Sequence, residues 1–144
     1  MFEKIIVAID GSEAAEHALL TACDVAKKYK SELHLVHSPQ LETTAIAVGS
    51  GAVVIKADDK DIQEAGHAVL DGAVALAKKQ GCKVADPVIS NAPPAEAILK
   101  EIEETGADLV VMGRRGLGNI SSLVLGSVSQ KVSHDASCTC MTVC

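Results

Sequence analysis

"EKIIVAIDGSEAAEHALLTACDVAKKYK", residues 3–30, carries two different periods in succession. Residues 3–9 are a short, almost continuous apolar run, the pattern of a strand buried on both faces of a parallel sheet. Asp10, Gly11 and Ser12 end that run and can open a helix. Ala15, Ala18, Leu19, Ala22, Cys23 and Ala26 then recur at helical spacing, with acids early and lysines late as the helix dipole favours. Strand and helix together make one βα unit.

The alternation continues along the chain. "ELHLVHS", residues 32–38, reads as a second strand stopped by Pro39. Residues 40–60 are small, weakly periodic and longer than most connections in compact domains, so they are expected to cross as a loop with one short element around 52–55. Asp61 and Glu64 start a second helix that runs to Gln80, and Gly81 stops it. "CKVADPVIS", residues 82–90, is a third strand. Its Pro87 cannot donate to a ladder, which places it at a sheet edge. Pro93 and Pro94 open a third helix closed by Gly106, and "ADLVVM", residues 107–112, is the fourth strand. A helix over "SVSQKVSHDA" (127–136) and a last strand in "CTCMTVC" (138–144) complete the chain. Strands alternating with helices throughout predict an α/β fold with one open five-stranded parallel sheet and right-handed crossovers. No repeat or change of composition marks a boundary, so residues 1–144 are expected to form one domain.

Composition narrows the function. The 144 residues are 48% apolar and 22% charged, ordinary for a globular protein and unlike a disordered chain. A net charge of -6, with no basic block beyond Lys27-Lys28, Lys78-Lys79 and Arg114-Arg115, offers no footprint for nucleic acid. Phe2 and Tyr29 are the only aromatic residues, so any purine must lie between aliphatic side chains and backbone. No window approaches the roughly 20 apolar residues of a membrane span, and the first residues read as a strand rather than a signal peptide. Insertion into a membrane is therefore not expected, and the expected location is cytoplasmic. Five cysteines without framework spacing suit a reducing compartment. His134, Cys138, Cys140 and Cys144 could be taken for a metal site, but Cys-x-Cys is tighter than zinc-knuckle spacing and free thiols are the simpler reading.

Ligands of open α/β sheets bind beyond the carboxyl ends of the strands, where strand order reverses. Asp10-Gly11-Ser12 and Met112-Gly113 both follow strands, and they flank one crevice if the first and fourth strands are neighbours. Gly113 and Gly116 would let backbone approach a ligand, and Gly126-Ser127 would present amides to phosphate at a helix N-terminus. Arg114 and Arg115 add positive charge nearby, with a solvated loop as the alternative for each; Arg115 is counted with the nucleotide-binding residues. A plainer reading keeps the glycines for a tight turn and close helix packing, and Asp10 for capping the first helix. Neither a P-loop nor a dinucleotide fingerprint is present, and no aspartate ends the third strand as a response regulator would require. His34 and His37 lie on the second strand, one of them near the crevice.

These residues carry a resemblance. Gly113-x2-Gly116-x9-Gly126-Ser127 is similar to the G-2x-G-9x-G-[ST] pattern of the universal stress protein family, in its ATP-binding branch. "VAIDGS", "PAEAIL", "ADLVVMGRRG" and "LVLGSVSQKV" resemble that family's blocks in order along the whole chain. The resemblance implies a Rossmann-like sheet of order 3-2-1-4-5, as in adenine nucleotide alpha hydrolases, with helices on both faces and homodimers formed through the last strand. It implies ATP as ligand with Mg or Mn, Asp10 lying near ribose and making an indirect metal contact. Ala8 and Ser38 would lie on the adenine side. Met112 and Gly113 would turn around ribose and phosphates, and Gly116, Gly126, Ser127 and Val128 would cradle phosphate. The chain departs from the family at "NAPPAEAIL", where Ala92 and Pro93 stand in the place of a glycine. It departs again at "CTCMTVC", which replaces a proline and valines at the dimer edge and bears on its redox sensitivity. The expected function is a stress-response and signalling module that binds ATP and acts on a protein partner. A slow ATPase or phosphate-transfer enzyme and a nucleotide-free dimerisation module stay open as alternatives.

Overall fold

The computed structural model describes residues 1–39, 44–48, 51–55, 58–117 and 125–144. Strand β1 (Lys4–Ile9) is the centre of the molecule, and its Ile5, Ile6 and Val7 are wholly buried. Because side chains alternate along a strand, Ile5, Val7 and Ile9 enter one core while Ile6 and Ala8 enter another on the opposite face. That two-sided burial is why the run shows no polar alternation.

Helix α1 (Glu13–Tyr29) starts at Ser12, whose hydroxyl accepts from the Ala15 amide at 3.1 Å. Its Ala15, Ala18, Leu19, Ala22, Cys23 and Ala26 form the buried stripe. β2 (Glu32–His37) pairs in parallel with β1 from Lys4 opposite Glu32 to Ile9 opposite His37. The segment expected to cross as a loop instead holds an antiparallel pair, β3 (Thr44–Val48) and β4 (Gly51–Ile55), with Thr44 opposite Ile55. The signal was present as two β-branched runs separated by Gly49-Ser50, a hairpin pattern that weak periodicity had hidden.

Helix α2 (Asp59–Lys79) begins two residues before Asp61, and Gly81, at φ 79°, turns the chain after it. The expected third strand is broken into β5 (Lys83–Val84) and β6 (Val88–Ile89), both parallel to β2. Pro87 lies between them and lacks the amide that would continue the ladder. α3 (Pro94–Thr105) closes at Gly106, β7 (Leu109–Gly113) pairs with β1, α4 (Ser127–Asp135) follows, and β8 (Thr139–Val143) pairs with β7.

Among the described residues the sheet therefore has six strands where five were expected, and the difference is the break at Pro87. Its order is β5-β2-β1-β7-β8, with β6 also on β2, which is the anticipated 3-2-1-4-5 once the broken strand counts as one. α1 and α2 cover one face, where Leu70, Ala73 and Ala77 join the α1 stripe. α3 and α4 cover the other through Ala95, Ile98, Ile102 and Val132. Among the described residues no helix is long and apolar enough to cross a membrane.

The amino ends of β1 and β7 are tied by one carboxylate. Asp108 accepts from the amides of Glu3 at 2.8 Å and Lys4 at 3.1 Å, and these bonds hold its carboxyl below the usual range. A folded pKa below the unfolded one stabilises the native state above the carboxylate range and loses that contribution as pH falls through it. Asp108→Asn is therefore expected to lower the melting temperature at neutral pH, and the gap from the parent should close as pH falls below 3.8. Thermal unfolding across pH checks this, and a gap that stays constant into acid would refute it.

Candidate functional site

β1 is where the sheet's order reverses, since the chain passes to β2 on one side and later to β7 on the other. Beyond the carboxyl ends of these strands lies a crevice of about 440 Å³. Ala8 and Asp10 reach it from β1 and the turn after it, Ser38 from the end of β2, and Met112 and Gly113 from the end of β7. Arg115 and Gly116 follow, and Gly126, Ser127 and Val128 enter with the start of α4. All ten residues picked out in the sequence thus border one cavity.

The three glycines do different work there, and none has a positive φ. A Cβ on Gly113 would stand 2.8 Å from the Arg115 carbonyl oxygen and 3.0 Å from the Ala14 Cβ, so glycine is required by the turn and by α1 behind it. On Gly116 it would collide with Asp10 Oδ2. On Gly126 it would meet nothing nearer than 3.5 Å, an ordinary contact. The protein's own packing therefore demands glycine at Gly113, meets only the tip of the Asp10 side chain at Gly116, and does not demand Gly126.

Asp10 does not cap α1; Ser12 does. Asp10 Oδ1 accepts from the Ser12 amide at 2.9 Å and its hydroxyl at 2.5 Å, across Gly11 at φ 82°. This closes the turn and leaves Oδ2 beside Gly116. The hydroxyl of Ser38 donates to the Ala92 carbonyl at 2.5 Å, so the Ala92-Pro93 departure is pinned to the crevice rim. His37, rather than His34, lines the crevice; its Nδ1 is 2.6 Å from the Ile9 carbonyl oxygen.

Donors gather at the other end. The amides of Ser127, Val128 and Ser129 open α4 in its first turn and have no backbone partner among the described residues. The Ser129 hydroxyl is occupied, donating to the Arg114 carbonyl at 2.9 Å. Arg115 Nε is buried with no hydrogen-bond partner among the described residues. Sequence reasoning placed one of the two β2 histidines near the crevice, which is His37, and missed Val36, Pro94, Ile98 and Ser129, which also line the cavity. The β1–β2 register puts Val36 opposite Ala8 and His37 opposite Ile9, but only pairing reveals it.

Among the described residues no three His, Cys, Asp or Glu side chains gather as metal ligands. His134 instead meets Asp135 at 2.6 Å, and burial pushes the Cys138 and Cys140 thiols up.

The family model described as "Universal stress protein family" matches residues 1–143. The chain belongs to the universal stress protein family. It is 36% identical over 143 residues to a universal stress protein of Thermus aquaticus, with 99% of each chain covered. Against universal stress protein YxiE of Bacillus subtilis (strain 168) it is 32% identical over 148 residues, again covering 99% of each. A universal stress protein from Archaeoglobus fulgidus, solved in complex with dAMP, superposes with a TM-score of 0.71 at 25% identity, covering 99% of this chain and 98% of that one.

The glycine geometry makes a prediction for this universal stress protein. Gly113→Ala is expected to destabilise by about 1–3 kcal/mol, the range for forcing an extra carbon into a packed site, whereas Gly126→Ala leaves the fold unchanged. Urea unfolding of both checks this; equal losses would refute the distinction.

Proposed function

We propose that this universal stress protein binds ATP in the crevice at the carboxyl ends of β1 and β7 and serves as a nucleotide-dependent regulator. The observation that carries the reading is the division of the cavity into two ends. Ala8, Val36, Ile98 and Met112 offer an aliphatic bed for a base. The amides that open α4 and the buried Arg115 Nε offer donors for phosphate. The volume fits the range of about 300–1,000 Å³ typical of small-molecule sites. The dAMP bound by the Archaeoglobus fulgidus relative supports an adenine nucleotide as the class.

Asp10 is the residue to approach Mg or Mn. Its Oδ1 is occupied by Ser12, so Oδ2 alone is left to meet a hydrated cation held by the phosphates. When bound, the cation would offset phosphate charge. Ser127 and Val128 orient the phosphates by their amides, Gly126 leaves them room, and Ala8 and Ser38 border the base. Binding rather than turnover is the reading because the ring nitrogen His37 Nδ1 and the Ser129 hydroxyl are already engaged with backbone carbonyls.

Calorimetric titration of nucleotide-stripped protein with ATP and Mg²⁺, with AMP alongside, tests the assignment. Saturable ATP binding near one per chain is expected, and Gly126→Val should weaken it at least tenfold, about 1.4 kcal/mol, with unchanged circular dichroism. Absence of heat would leave the dimerisation module as the better account, whereas a Gly126→Val variant that binds as the parent does would overturn the assignment of the phosphate cradle. Accumulation of ADP beyond one per chain would replace the regulator by a slow ATPase.

We also propose a cytoplasmic homodimer formed through β8, which has no strand beyond it among the described residues. Light scattering should give twice the 14.9 kDa chain mass. A monomer at micromolar concentration would dismiss it.

A further inference from the structure

Two sulfurs far apart in sequence meet on the α1–α2 side of the sheet. Cys23 lies in the buried stripe of α1 and is 1% exposed, while Cys82 follows Gly81 at the end of α2 and is half-buried against the same core. The Cys82 thiol donates to the Cys23 carbonyl at 3.7 Å, and both side chains pack in the same core cluster.

Neighbouring contacts fix this meeting. The Cys82 amide donates to the Ala77 carbonyl at 3.0 Å and the Gly81 amide to the Lys78 carbonyl at 2.9 Å, which folds the chain back after α2. Lys27, one turn beyond Cys23 on α1, reaches Gln80 at 3.2 Å. The Lys27–Gln80 bond thus ties α1 to the turn beside the sulfurs. A lone core cysteine fills space as a small apolar side chain. A second thiol placed against it from an element about 60 residues away adds a redox partner of the kind that closes a long loop.

We propose that Cys23 and Cys82 form a reversible disulfide when the protein meets a peroxide, with Cys82 oxidised first and Cys23 resolving it. The Cys82 sulfur attacks a peroxide oxygen and the O–O bond breaks. The departing oxygen takes a proton, and Cys82 becomes a sulfenic acid. The Cys23 sulfur then attacks that of Cys82, the S–O bond breaks, and hydroxide leaves as water with the Cys23 proton. Two thiols and one hydrogen peroxide give one disulfide and two waters.

The order follows from access. Cys82 is the more exposed sulfur, and burial, with the Cys82 thiol adding to it, pushes the Cys23 thiol up to about 12, so Cys23 stays protonated until a sulfenic acid forms beside it. The pair sits by the amino end of β5, away from the crevice at the carboxyl ends. Oxidation there ties α1 to the segment entering the sheet edge and leaves the crevice residues untouched.

The test treats the folded, full-length protein with hydrogen peroxide, then unfolds it, alkylates the thiols and maps the peptides. Two of the five cysteines should escape alkylation, the mass should fall by two hydrogens, and one peptide pair should join Cys23 to Cys82, all reversed by dithiothreitol. The oxidised form should melt several degrees above the reduced one, and Cys82→Ser, a near-isosteric change at a half-buried position, should abolish that difference. Five alkylated thiols, a Cys82 carried on to sulfinic acid, or a crosslink confined to Cys138, Cys140 and Cys144 would each overturn the proposal.

Discussion

Burial of β1 on both faces is the constraint on which the molecule depends. Each fully buried aliphatic side chain there stabilises by about 1.5–3 kcal/mol, and Ile5, Ile6 and Val7 are all at that limit. A slip of one residue against β2 or β7 would exchange the side chains of the two cores, so the register is firmly held. That register delivers Asp10 to the place where β7 ends in Gly113. The crevice is therefore a product of the same contacts that hold the sheet.

Much of this was legible in the sequence because period and punctuation agreed. The α1 stripe, the Ser12 start and the Gly106 stop follow from local chemistry, and the structure keeps them. The break at Pro87 was half visible: proline gave the edge position but not the division into β5 and β6. The β3–β4 pair was missed because its strands are almost uniformly apolar and short, which leaves period 2 nothing to contrast.

The site was legible as a set of positions and opaque as a set of reasons. Spacing and the family resemblance together picked out ten residues that border one cavity, yet neither could say that Gly116 clears Asp10 or that Gly113 clears Ala14 and a carbonyl. Such clearances depend on two segments meeting, and a single chain read in order does not contain that meeting. Val36 escaped for the same reason, and the choice between His34 and His37 stayed open, since their place comes from pairing with β1.

One carbonyl joins the two ends of the glycine segment. Arg114 accepts from the Gly126 amide at 2.9 Å and from the Ser129 hydroxyl at 2.9 Å, so the chain returns at 126 to the point it left at 114. Position and heading of α4 are thereby tied to the end of β7. Changes of sequence or length between 117 and 125 would therefore leave the floor of the cavity where it is. The segment is a cassette, and the fold can exchange it without relearning how to fold.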